Sequence, residues 1–285
     1  MRFISIMALA AARIAVPAHA ADEAEAEAPV TVLAQSADAA AEAHIGPICT
    51  DRPTKATAAC TVPEGMVQIE TDLFFWTRNN LGPVQSDVLL YTNPTIKYGL
   101  GPNTDIQANI APVVEVRNEV GGLNTSQTGV GDLFVRLKQR LTGPDSPVQV
   151  AIVPFVKVPT AELGIGNREW EGGVTGTVQV PVGAATLSLV PSFNLLADAL
   201  DPGDRHIEFQ GIVNLAFPVA ERTGLAMELW TSQRWDPAGT VRQYSADAAL
   251  TYLVNDDLQL DIGGNFGLDQ ATPDLQLYVG LSTRF

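Results

Sequence analysis

From Met66 to the C-terminus, apolar residues recur at every second position, and the 3.6-residue period of an amphipathic helix is absent. The last stretch shows the pattern plainly. Leu275, Leu277, Val279, Leu281 and Phe285 fall on one parity, and Gln276, Tyr278, Gly280, Ser282 and Arg284 on the other. Successive side chains of a strand point to opposite faces, so this segment has one apolar and one mostly polar face. The same reading predicts earlier strands near 67–75, 87–98, 106–117, 132–141, 148–158 and 174–182. It continues near 187–195, 207–217, 225–229, 244–254 and 258–266, and the stretch from Asp274 to Phe285 completes the set. Twelve is an even number, as a closed antiparallel barrel with both termini on one side requires.

Hydropathy decides where such a sheet would live. Its mean is slightly positive, +0.11, yet beyond the N-terminus no apolar run approaches the roughly 18 residues of a membrane helix. A chain that is apolar on average without any such run suits a transmembrane barrel, whose lipid-facing residues alternate with lumen-facing ones. The fold class expected is therefore all-β, a transmembrane antiparallel β-barrel of about 12 strands. A secreted β-sandwich is the alternative. Pro94, Pro112, Pro154, Pro181 and Pro191 fall inside predicted strands and imply bends or bulges there. Aromatic residues gather near predicted strand ends (Phe75, Trp76, Tyr98, Trp170, Phe217, Trp235, Tyr252 and Phe285). They fit interfacial girdles or ordinary strand enrichment equally well.

Parity places many charges in the lumen. The second to fifth strands contribute Lys97, Arg117, Arg136, Lys138, Arg140 and Lys157, with Glu115 and Asp132 among them. The first and the eighth to eleventh contribute Glu70, Asp72, Glu208, Glu228, Asp247 and Asp261. A basic wall would then face an acidic one and set up a transverse field that selects solutes. The alternative is that these charges pair and fill a closed barrel. The formal net charge of −15 argues against non-specific nucleic-acid binding.

The N-terminus divides into two segments. Residues 1–20 have an early Arg2, an apolar stretch interrupted by Arg13, and Ala18-His-Ala20, as in a secretory signal peptide. Residues 21–65 read as a periplasmic leader, Ala- and Glu-rich to about Gly46 and too poor in large apolar residues to bury much there. The barrel is expected over 66–285. Cys49 and Cys60 are the only cysteines. In an exported chain they are most simply a disulfide. A metal site would need more ligands than His44 nearby, so no metal and no cofactor are expected.

Catalytic signatures are sparse. His206 stands at the outer end of the eighth strand beside Arg205 and Glu208, without a visible orienting partner, and reads as an exposed loop histidine. Gly164-Ile-Gly166 and Gly129-Val-Gly131 precede no helix and are not phosphate cradles.

Several stretches carry a family resemblance in their order along the chain. They are Cys49-Thr-Asp-Arg-Pro-Thr-Lys55, Thr61-Val-Pro-Glu-Gly65, Pro94-Thr-Ile-Lys-Tyr-Gly-Leu100, Gly129-Val-Gly-Asp-Leu133, Val156-Lys-Val-Pro-Thr160 and Gly166-Asn-Arg-Glu-Trp-Glu-Gly-Gly173. From about Cys49 onward the chain resembles the outer-membrane β-barrel family described as phenol meta-pathway degradation proteins, which is transporter-like. Tyr278 and the terminal Phe285 resemble the assembly signal of bacterial outer-membrane barrels. The resemblance implies a bacterial outer-membrane location, with lipid, the barrel-assembly machinery and a small-molecule solute as partners. No catalytic residues transfer. The expected function is a passive channel for small molecules, including aromatic compounds. A closed structural barrel and, more distantly, an outer-membrane hydrolase stand as alternatives. Oligomeric state is left open.

Overall fold

The computed structural model describes residues 46–162 and 164–285. The segment expected as a signal peptide and the Ala-rich part of the expected leader lie outside the described residues. Fifteen strand segments follow in chain order: β1 (Val67–Leu81), β2 (Val84–Leu90), β3 (Thr95–Gly101), β4 (Thr104–Asn109), β5 (Val114–Val120), β6 (Leu123–Gly129), β7 (Leu133–Arg140) and β8 (Gln149–Val158). They continue as β9 (Glu171–Val182), β10 (Ala185–Ala197), β11 (Arg205–Ala220), β12 (Thr223–Asp236), β13 (Gly239–Asn255), β14 (Leu258–Gly267) and β15 (Leu275–Arg284). All pairings between these strands are antiparallel, and β15 closes onto β1 with Gln68 opposite Arg284 and Asp72 opposite Gly280.

Three staves of the wall are broken in two. β2 and β3 both pair with β1, β5 and β4 continue them, and β6 and β7 follow. The fifteen segments therefore make a closed barrel of twelve staves. The breaks fall at Tyr91–Pro94, Ile110–Val113 and Val130–Asp132. Pro94 and Pro112 lie in the first two, where a residue without an N–H costs no ladder bond. Pro154, Pro181 and Pro191 instead remain inside β8, β9 and β10. Among the described residues β6 pairs only with β5, so its other edge carries no strand. The 118–127 stretch, which lies between two of the expected strands, forms the paired arms and tip of the β5–β6 hairpin. Its Gly121 and Gly122 have φ of 58° and 85°, as a tight two-residue turn requires.

Burial is inverted relative to a water-soluble sheet. Ile96, Leu100, Leu137, Leu189, Phe193, Leu229, Ile262 and Val279 are exposed on the outside, whereas Gln68, Lys97, Asp105, Lys138, Glu228 and Asp261 are buried inside. That is the pattern of a wall facing lipid around a polar lumen.

Parity does not run unbroken along the first stave. Asp72 is opposite Gly280, but Phe74 is opposite Val279 and Phe75 opposite Tyr278. Leu73 is thus a bulge residue, and everything beyond it switches face. Phe74 points outward, while Phe75 stacks on the buried ring of Tyr278 at 5.8 Å. The breaks at 91–94 and 110–113 carry the same switch into the next two staves. Glu115 and Arg117, expected in the lumen, are accordingly on the outer face. They pair with each other at 2.7 Å, and Arg117 lies opposite Asp87, which itself binds Arg78 and Trp76.

Candidate functional site: a peptide held across the lumen

Residues 46–65 do not extend away from the barrel but fold up into its lumen. Ile48 N–H donates to the Asp256 carbonyl at the β13–β14 turn, and Gly65 N–H donates to the Gly99 carbonyl at 2.9 Å beside the β3–β4 turn at the same end. Between them Cys49 and Cys60 form a disulfide that closes the segment into a loop. A peptide buried this way must satisfy its backbone. Side chains of the wall do so. Glu70 accepts from Asp51 N–H, Glu228 from the N–H groups of Lys55 and Ala56, Gln179 from Ala59 and Asp105 from Val62.

The charges of the segment are arranged against those of the wall. Asp51 reaches the basic side, where Lys97 and Lys138 donate to its two oxygens at 2.5 and 2.6 Å. Arg52 turns the other way. Its Nη1 binds Asp72 at 2.6 Å, while Nη2 and Nε bind Asp261 at 2.6 and 3.0 Å. Lys55 binds Asp247 at 2.5 Å and lies 5.1 Å from the Trp230 ring. Asp51 thus meets the basic wall, and Arg52 and Lys55 meet the acidic wall. Burial alone would raise the Asp51 carboxyl. The fields of Lys138 and Lys97 outweigh it and hold the group well below the usual carboxylate range. Lys55 is the opposite case, for burial outweighs Asp247 and Glu228 and lowers its ammonium.

The segment parts the lumen in two. Asp51, Arg52, Thr54, Ala56 and Thr57 border both a cavity of about 940 Å³ toward the 159–170 and 198–204 loops and one of about 440 Å³ toward the 183–184 and 221–222 turns. The larger cavity is ringed by Phe134, Arg136, Phe155, Glu208, Trp230 and Arg234, among others.

The structure brings Glu70, Asp72, Lys97, Lys138, Glu228, Asp247 and Asp261 together around the segment. Lys157 binds Glu171 at 2.7 Å and Asp132 at 3.5 Å higher in the lumen, and Glu208 takes Arg234 at 3.4 Å. Arg140 sits at the rim, bound to Asn103 and the Pro102 carbonyl. Tyr278 lines the lumen 5.9 Å from Arg52. His206 is not the exposed loop residue expected. It is buried, with Nδ1 2.8 Å from Asp198 and 3.6 Å from Asp236, because the 198–204 loop folds back over the strand end. Sequence reasoning missed Asp51, Arg52, Lys55, Asp105 and Glu171. The Asp-Arg-Pro-Thr-Lys run between two cysteines was the available signal, since a disulfide loop dense in charge is poorly suited to a featureless linker.

The family model described as "Putative MetA-pathway of phenol degradation" matches residues 50–285. The chain belongs to that family. The matched span begins inside the plug segment, so this family member's plug and wall are covered together. No protein with a curated description matches the chain. Among solved structures it is similar to the COG4313 outer membrane channel from Pseudomonas putida F1, at 13% identity over 79% of this chain and 97% of that one, with a TM-score of 0.62. It is also similar to the translocator domain of the autotransporter NalP from Neisseria meningitidis, at 13% identity over 79% and 90% of the chains, with a TM-score of 0.53. At these identities the likeness concerns the fold, which is that of outer-membrane β-barrels.

Proposed function

We propose that this protein is an outer-membrane channel for small solutes whose lumen is occluded by its own N-terminal segment. In this reading both termini are periplasmic, and the 940 Å³ cavity opens toward the outside. Export would use residues 1–20 as a signal peptide. The observation that carries the reading is the charge reversal along Asp51-Arg52-Pro-Thr-Lys55, which ties the segment to both walls. A closed structural barrel would be filled more stably by apolar side chains. Ion pairs with a strand-free peptide give a plug that can be released when competing charges or ligands arrive. The rings of Phe134, Phe155 and Trp230 around the cavity support solutes with an apolar, including aromatic, portion. The phenol-pathway description and the channel of similar fold agree with this reading.

Single-channel recording of the refolded protein in a planar bilayer tests it. Brief, small conductance steps are expected from the wild type, with larger and longer ones from Arg52→Gln/Lys55→Gln. A correctly folded barrel that stays silent in both forms would refute it in favour of the structural reading.

A further inference from the structure

The larger cavity contains one cation unlike the others. Arg52, Lys55, Lys97, Lys157 and Arg234 border it, and each has a carboxylate within ion-pair distance. Arg136 has none among the described residues, although it is half-buried and faces the same space. Its guanidinium carbon lies 5.3 Å from the centre of the Phe134 ring. Phe155, opposite Arg136 in the β7–β8 register, packs against Phe134 with ring centres 6.3 Å apart and planes tilted 44°. Asp51 and Glu70 act on it through space, but neither reaches it as an ion pair, and a desolvated guanidinium without a contacting anion costs free energy.

We infer that Arg136, Phe134 and Phe155 form a binding site for an aromatic monocarboxylate. The guanidinium presents a planar donor fork that fits a carboxylate at two points. The two phenylalanine rings offer apolar surface to a ring attached to it. One unmatched cation suits a single negative charge. Glu169, Glu171 and Glu208 border the same cavity and disfavour a second one. The inference deepens the channel reading by naming a solute class, but binding can be measured apart from conduction.

The probe is 2-naphthoate, titrated by calorimetry into the refolded protein in a non-ionic detergent, with neutral 2-naphthamide as control. Saturable naphthoate binding is expected. Arg136→Gln should weaken it by about tenfold or more, as loss of a charge-assisted pair does. Naphthamide should be nearly indifferent to that change, and Arg136→Lys should recover part of the naphthoate affinity. Absence of saturable naphthoate binding in the wild type overturns the inference, as does equal weakening of acid and amide. Unchanged naphthoate affinity in a heat-modifiable, folded Arg136→Gln overturns it too. Arg136-dependent binding in a protein that never conducts supports the site and removes the channel. Conductance without binding removes the site alone.

Discussion

Arg52 and Asp261, separated by 209 positions in the chain, meet through two hydrogen bonds, Nη2 to Oδ1 at 2.6 Å and Nε to Oδ2 at 3.0 Å. Asp261 is fully shielded and Arg52 nearly so. This bidentate contact joins the plug to β14, and Asp72 adds a third bond from β1 on the other side of the seam with β15. Removing Arg52 leaves two buried carboxylates without their cation, which costs about 3–5 kcal/mol at such sites. Arg52→Ala is therefore expected to lower the temperature at which the folded gel band disappears and to raise open probability. A double-mutant cycle with Asp261→Asn should show strong coupling. Additive effects would mean that the pair does not hold the plug.

A second handle on the plug carries no charge. Gly99 of β3 lies under the plug backbone, and a methyl group there would run into the carbonyls of Pro63 and Val62. Those atoms belong to the peptide and not to the wall. Gly99→Ala should consequently push residues 62–65 inward while leaving β3 paired. The expected result is a folded barrel with more frequent opening. Wild-type conductance together with wild-type proteolysis of the 46–65 segment would show that this contact is unimportant.

These two contacts also show what the sequence could and could not tell. Alternation alone placed Lys97, Lys138, Asp247 and Asp261 in the lumen, because an unbroken strand fixes the face of every residue on it. It failed for Glu115 and Arg117, where the Leu73 bulge and the breaks at 91–94 and 110–113 reset the parity. A one-residue bulge leaves no compositional mark. Pro94 and Pro112 announced bends but not the switch of face. The plug was hidden for a different reason. Its binding is made of contacts such as Arg52 to Asp261 and Lys55 to Asp247, which exist only after the barrel has closed. His206 was misread likewise, since its partners Asp198 and Asp236 come from a loop and from the adjacent strand.

The Cys49–Cys60 bridge makes a further prediction. It closes a short loop whose members Asp51, Arg52 and Lys55 each bind a different part of the wall. In the chain-entropy model such a bridge contributes roughly 3 kcal/mol by restricting the free peptide. Without it, the three contacts would have to form on a looser chain. Reduction, or the Cys49→Ser/Cys60→Ser pair, should raise open probability without dissolving the barrel. The same gating before and after reduction would separate the disulfide from plug retention.

Acid should loosen the plug through Asp51. Its carboxyl is lowered below the ordinary value of 3.8 because Lys138 and Lys97 overcome the effect of burial. A group with a depressed folded pKa contributes stability that is present above the unfolded value and lost as pH falls toward the folded one. The window is thus below about pH 4, where protonated Asp51 would leave Lys97 with Glu70 alone and Lys138 with the Ala58 carbonyl. Glu70, Asp72, Asp105, Glu228, Asp247 and Asp261 also face the segment. Open probability should accordingly rise as the pH falls below about 4 in the wild type. Asp51→Asn should open readily at pH 5 already and gain less on acidification. The same pH profile in both proteins would show that the lysine pair does not hold the plug through this carboxylate.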